Sequence, residues 1–131
     1  MIVIDASVVL EILLGTTLGR RFGDKLYAHA GSWNVPHLLD TEVLSVLRRL
    51  VRSRQLDKER ALLAVEDLGR LDLVRHGHAD CTSRVWELRT NLTAYDATYL
   101  ALAEALGATL VSADRGFLGV PDRRAAVEVW R

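Results

Sequence analysis

A chain of 131 residues, half of them apolar, can close a sizeable core without covalent or metal staples and reads as one domain over 1–131. Its 17 basic and 17 acidic residues cancel, which excludes a global positive field for nucleic acid and leaves any such contact to local patches. Cys81 is the only cysteine, no stretch reaches the length of a membrane span, and no basic leader precedes the first apolar run, so the expectation is a cytoplasmic protein without membrane contact.

The predicted elements alternate. "MIVID" is a continuous, β-branched run that stops on a carboxylate, the pattern of a short buried strand. "SVVLEILLG" predicts a helix closed by Gly15. "RRFGDKLYAHAG" predicts a second helix, weakened by Gly23, and "SWNVP" a brief strand stopped by Pro36. "HLLDTEVLSVLRRLVRSR" has the clearest helical periodicity, in Leu39, Val43, Val46, Leu47 and Leu50. "DKERALLAVEDLGRL" follows, with Asp57 as its N-cap. Its Leu62, Leu63, Val65 and Leu68 exceed one narrow stripe, so one side is expected in the core and another against a partner. "DLVRH" predicts a third strand and "ADCTSRVWELRTN" a further helix. "TAYDATYLALAEALG" predicts a helix capped by Thr93 and ended by Gly107. "ATLVSAD" is a fourth strand and "AVEVW" a last one at the edge. Strands alternating with helices predict an α/β fold, a parallel sheet covered on both faces.

Four acids stand where apolar residues belong. On a helical wheel Glu42 falls between Leu38 and Val46, at the edge of the apolar stripe. Asp96 points with Leu100, Ala103 and Tyr99 toward the sheet, leaving Ala97, Ala101, Glu104 and Ala105 to the exposed face. A carboxylate facing a core costs several kcal/mol unless compensated. A salt bridge, a helix cap, a raised pKa and a metal compete; Glu42 sits too far inside its helix to be a cap, Asp96 is one only if Thr93 is not, and a buried arginine partner is the preferred reading of each acid taken alone. Asp5 and Asp114 narrow the choice, since each follows a strand, and parallel strands end on one edge of the sheet. Glu42 and Asp96 lie in the early turns of helices that begin above that edge. Four carboxylates without a cation would repel one another, and no lysine is near any of them. Hard oxygen donors of this kind suit Mg²⁺ or Mn²⁺ and metal-assisted phosphodiester hydrolysis.

The segments "IVIDASVVLE", "LLDTEVLSVLRR" and "LTAYDATYLALAEALGATLVSADRGF" together resemble the PIN-domain family, and within it the bacterial VapC-type toxins. The resemblance covers nearly the whole chain and is specific as a set of acids. It implies a three-layer α/β/α sandwich around a mostly parallel sheet. It also implies a Mg²⁺-dependent endoribonuclease (Mn²⁺ substituting) that acts on RNA, pairs with a VapB-like antitoxin and forms a homodimer. The family's catalytic and metal-binding acids fall on Asp5, Glu42, Asp96 and Asp114. Its hydroxyl residues near the site fall on Ser7 and Ser112, and Gly116 stands where some members carry a further acid.

Smaller signals have blander readings beside them. Arg115 follows the last acid, as a phosphate contact or as a solvated loop residue. Arg48, Arg49, Arg52 and Arg54 form the only dense basic cluster, a local RNA track or, by preference, a solvated helix end favoured by the helix dipole. His76, His78 and Cys81 lack a fourth ligand at zinc spacing, so a turn and a buried Cys are expected. Tyr95, Tyr99, Trp33, Trp86 and Trp130 are expected in the core or at interfaces rather than as base-stacking platforms. Two rivals to the nuclease remain. One is a receiver-like regulatory phospho-acceptor domain, which needs a lysine at a strand end. The other is a catalytically inactive PIN-like module that only binds RNA or protein.

Overall fold

In a computed structural model describing residues 1–131, the elements are β1 (Ile2–Ile4), α1 (Ala6–Leu14), α2 (Thr17–Ala28), β2 (Trp33–Pro36), α3 (Leu38–Arg52) and α4 (Lys58–Arg70). They continue as β3 (Leu73–His76), α5 (Thr82–Glu87), α6 (Ala94–Leu106), β4 (Thr109–Ser112) and β5 (Val127–Val129). The five strands form one sheet in the order β3-β2-β1-β4-β5, and every pairing is parallel. Helices α1 to α4 pack together on one face and α5 with α6 on the other, giving three α/β/α layers. Right-handed crossovers dictate this split: the chain steps outward from β1 to β3 under one set of helices and must return to β4 under the other.

The central strand is buried throughout, which is why its sequence is continuously apolar and not alternating. Its register sets Val3 beside Asn34 on one side and Ile4 beside Val111 on the other. Asn34 is a buried polar residue with its bonds satisfied. Its Nδ2 donates to the Ile2 carbonyl at 3.1 Å, and its Oδ1 meets His76 Nε2 at 2.8 Å. Three strands are thereby tied through one side chain, and His76 is engaged there.

Local signals set the helix ends. Gly15 and Gly107 end α1 and α6 at φ 64° and 62°, a left-handed turn that favours glycine. Arg60 of α4 donates to the Leu13 carbonyl at 2.9 Å, supplying both a partner and a positive charge at the C-terminus of α1. The second helix starts earlier than the sequence pattern suggests. Thr16 caps it, its hydroxyl accepting the Gly19 N–H at 2.9 Å and also bonding the Glu11 carboxylate. Asp57 occupies the N-cap position of α4 without a side-chain cap bond.

Two expectations are overturned. "ADCTSRVWELRTN" is not one helix: a 3₁₀ turn over Ala79–Cys81, the six residues of α5 and a second 3₁₀ turn over Leu88–Thr90 replace it. Side chains capture the carbonyls there, Thr82 Oγ1 bonding Ala79 O and Arg89 Nη1 bonding Trp86 O. Nor do Ala97 and Ala101 face water. Helix α6 is buried nearly all round, because α5 lies across its outer side. Glu104 on that side is half-buried and held by Arg84, whose Nε and Nη2 reach its two oxygens at 2.7 and 3.1 Å.

Candidate active site

The sheet order reverses between β1 and β4, and a crevice opens outside the carboxyl ends of strands at such a point. Asp5 stands there as the residue after β1. It is also the N-cap of α1, its Oδ1 accepting the Ala6 N–H at 2.9 Å. Its Oδ2 accepts two hydroxyls, Ser7 Oγ at 2.8 Å and Ser112 Oγ at 2.7 Å. Each serine in turn accepts a backbone N–H from the turn after β4: Ala113 N bonds Ser7 at 3.1 Å and Asp114 N bonds Ser112 at 2.9 Å. The two hydroxyls therefore clamp the Asp114 turn against Asp5. Asp114 is exposed, and its Oδ1 accepts the Gly116 N–H at 2.8 Å.

Glu42 lies in the second turn of α3 and Asp96 in the first turn of α6; both are half-buried. Thr93 fixes the start of α6 by accepting the Asp96 N–H at 3.2 Å. Beneath Glu42 lies Tyr99, fully buried. The Tyr99 hydroxyl and Glu42 Oε1 are both buried without a hydrogen-bond partner of good geometry, although the two groups adjoin. Sequence reasoning missed this role of Tyr99; its signal was a phenol three residues after Asp96 on the same face.

The electrostatics join the four acids into one set. Burial pushes the Asp5 carboxyl above its ordinary value against the pull of its three hydrogen bonds, and the Asp114 charge pushes it further. Burial raises Glu42, helped by the charges of Asp5 and Asp96. Burial likewise raises Asp96, helped by Asp5 and Asp114. No basic group answers them. The chain's ion pairs lie elsewhere, at Arg70–Asp67, Arg75–Asp40, Arg84 with Glu87 and Glu104, and Arg124–Glu87. The salt-bridge alternative thus fails for all four acids and the cap for Asp96, where Thr93 takes that place, while Asp5 is a cap and a strand-end acid at once.

The donors suit a hard cation. They are mutually repelling carboxylates, three of them partly or wholly desolvated, with one orphaned buried oxygen at Glu42. No three of them close a ready-made cage. Such a donor set fits a divalent cation that keeps several waters and takes only a few carboxylates.

The remaining candidates scatter. Arg115 is exposed on the Asp114 turn. Arg48, Arg49, Arg52 and Arg54 are exposed at the far end of α3, running away from Glu42. Cys81 is buried. Tyr99 and Trp130 are core residues and Trp33 is half-buried, but Tyr95 and Trp86 are 60% and 67% exposed and so are not core. Neither lysine reaches the acid edge: Lys25 Nζ sits 5.3 Å over the Trp130 ring, and Lys58 opens α4.

The profile of the PIN domain matches residues 2–122. The chain belongs to the PIN-domain family. Among characterised PIN-domain relatives it is 42% identical over 114 residues to ribonuclease VapC9 of Mycobacterium tuberculosis, covering 87% of this chain and 86% of that one. It is 35% identical over 130 residues to ribonuclease VapC1 of the same organism, covering 98% and 97%. The fold is similar to VapBC2 of Rickettsia felis, solved bound to a promoter DNA fragment, with a TM-score of 0.73 at 20% identity over the whole of both chains. It is also similar to Mycobacterium tuberculosis VapC20, a sarcin-ricin loop cleaving toxin, with a TM-score of 0.67 at 15% identity over 95% and 99%. No helix of this PIN domain is long and apolar enough to cross a membrane.

Proposed function

We propose that this chain is a single PIN-like domain over residues 1–131 and the toxin of a VapBC-type pair, an endoribonuclease that hydrolyses RNA phosphodiester bonds. Its cofactor is Mg²⁺, or Mn²⁺ in its place, held by Asp5, Glu42, Asp96 and Asp114. The reading is supported by four acids without a basic partner that lie within electrostatic reach of one another near the sheet's switch point. Kinship with the VapC ribonucleases supports it. The receiver-like alternative is disfavoured by the absence of lysine from this edge.

When bound, the cation supplies an activated water and charge stabilisation for the leaving oxygen. The chain's own part is preorganisation. Ser7 and Ser112 fix the rotamer of Asp5, so its carboxylate is presented in one orientation. Glu42 and Asp96 are held on the starts of two rigid helices, and their mutual repulsion favours any cation that enters. Arg115, on the same turn as Asp114, is placed to meet substrate phosphate.

A VapB-like antitoxin and a second copy are the proposed protein partners. Leu62, Leu63, Val65 and Leu44 are exposed along α4 and α3, beside a groove of about 440 Å³ that Leu62, Val65 and Leu44 line. The core side of α4 is taken by Ala61, Ala64 and Leu68.

The direct test is cleavage of RNA by the purified chain with Mg²⁺ or Mn²⁺ and with EDTA. Metal-dependent cleavage is expected; cleavage that persists in EDTA removes the case for the acid site. A second expected result concerns stability. Asp5, Glu42 and Asp96 have folded pKa values raised above the ordinary 3.8 and 4.5, so the folded chain holds protons the unfolded chain has released. Their effect is absent below those values and destabilises progressively as pH rises through the folded ones. The metal-free protein should therefore melt lower at pH 7 than at pH 5, as rough working points in that window. Mg²⁺ should recover more at the higher pH, beyond an equal ionic strength of KCl. A Mg²⁺ effect independent of pH would place the ion away from these acids.

A further inference from the structure

Beside the acid edge, α3 and the start of α6 enclose an open depression of about 350 Å³. Leu38, Thr41, Glu42, Ser45, Val46 and Tyr95 line it. Glu42 belongs both to this depression and to the acid set, so the two are continuous. Tyr95 immediately precedes Asp96 and stands 60% exposed, in the first turn of α6. Half-buried Leu38 and Val46 contribute apolar surface, and Thr41 and Ser45 add exposed hydroxyls.

The chemistry of the lining selects its occupant. No basic side chain is present to hold a phosphate. An aromatic face, an apolar floor and two hydroxyls suit a flat, neutral heteroaromatic ring with polar edges. Single-stranded RNA offers such a ring at every nucleotide, and proteins take unstacked bases on aromatic side chains. We propose that this depression is a nucleobase pocket. The base of a nucleotide next to the scissile phosphate stacks on Tyr95, and the Thr41 and Ser45 hydroxyls meet its edge. Tyr95 is then a specificity-determining residue, which departs from the core-or-interface role its sequence context suggests. The inference rests on the ribonuclease reading and assigns its substrate a base-binding subsite.

The test uses the full chain, Mg²⁺ or Mn²⁺, and a randomised library of short single-stranded RNAs whose cut ends are sequenced. The wild type should show a base preference at one position flanking the cut. Tyr95→Ala should flatten that preference and lower kcat/KM about tenfold, within what one stacked base is worth. Tyr95→Phe should keep both. Thr41→Ala with Ser45→Ala should change which base is preferred while leaving the position selective. A second readout avoids turnover: in the Asp5→Asn background, a fluorescent adenine analogue at the selected position should be quenched on binding, and Tyr95→Ala should abolish the quenching. An unchanged cleavage pattern in Tyr95→Ala overturns the pocket while leaving the ribonuclease intact. The same pattern with weakened self-association assigns the depression to a protein side chain and also overturns it. A wild type that cuts no RNA in the library with either metal overturns the ribonuclease reading, and the pocket with it.

Discussion

Asp5→Asn should reduce RNA cleavage by roughly a thousandfold while the protein stays folded, because several kcal/mol of transition-state stabilisation would leave with one charge of the proposed cation site. The substitution keeps the shape of the side chain but cannot keep its bonds. Asp5 accepts at both oxygens, from the Ala6 N–H on one and from Ser7 and Ser112 on the other. An amide must turn its NH₂ toward one of these sets. Facing Ala6 it opposes a donor; facing the serines it requires both hydroxyls to accept while each already takes a backbone N–H. Against that cost stands the removal of a buried charge that Asp114 repels, so the fold survives. Ser112→Ala, which removes only the orienting hydroxyl, should cost about 10–100-fold. Single-turnover rates in Mg²⁺ with circular-dichroism melts decide the matter. An Asp5→Asn enzyme within tenfold of wild type would mean that the chemistry is done elsewhere.

Gly19→Ala should be the most damaging small substitution for stability, costing about 3 kcal/mol, the upper part of the range for overpacking. Helix α2 crosses α1 at this residue. A Cβ there would lie 1.9 Å from the Glu11 carbonyl oxygen and 2.9 Å from Ile12 N. Both are helix backbone and cannot swing aside as a flexible side chain would. The two helices must separate, straining the Thr16 cap and tilting α1, which carries Asp5 at its start. Gly23→Ala is the internal control. It lies in the same helix with nothing within 4 Å of its Cβ, and should stabilise by roughly 0.5–1 kcal/mol. Urea unfolding of the two variants should move in opposite directions; equal shifts would mean that helix propensity alone is being measured.

The acid edge was legible because strand ends and helical phase are local properties. Asp5 follows a fully buried run, Asp114 stands two residues beyond a mostly buried one, and parallel pairing of β1 with β4 puts both on one edge. The phase of Asp96 likewise placed it inward without knowledge of the sheet order. What stayed hidden depends on contacts remote in sequence. Ala97 and Ala101 resemble solvent-facing positions on a wheel, yet their small side chains are what let α5 approach. Tyr95 and Tyr99 are one turn apart and share a wheel position. One is exposed and the other buried, because the buried stretch of α6 begins only at Ala97. Nothing local tells Ser7 and Ser112 that they will share one oxygen.

The bond between Ser112 and Asp5 spans 107 residues and is the last tie the chain can make at its centre. The middle strand is the first to be synthesised, but one of its two neighbours is β4, near the other end. Until β4 and the turn after it have been made, Asp5 has neither its second hydroxyl nor the carboxylate opposite. Long-range closure of this kind is slow, because the residues it joins are far apart in the chain. On the proposed reading, a chain that stops before residue 114 would lack both the Ser112 bond and the fourth acid when translation ends short of Ser112, and the fourth acid alone when it ends just after it.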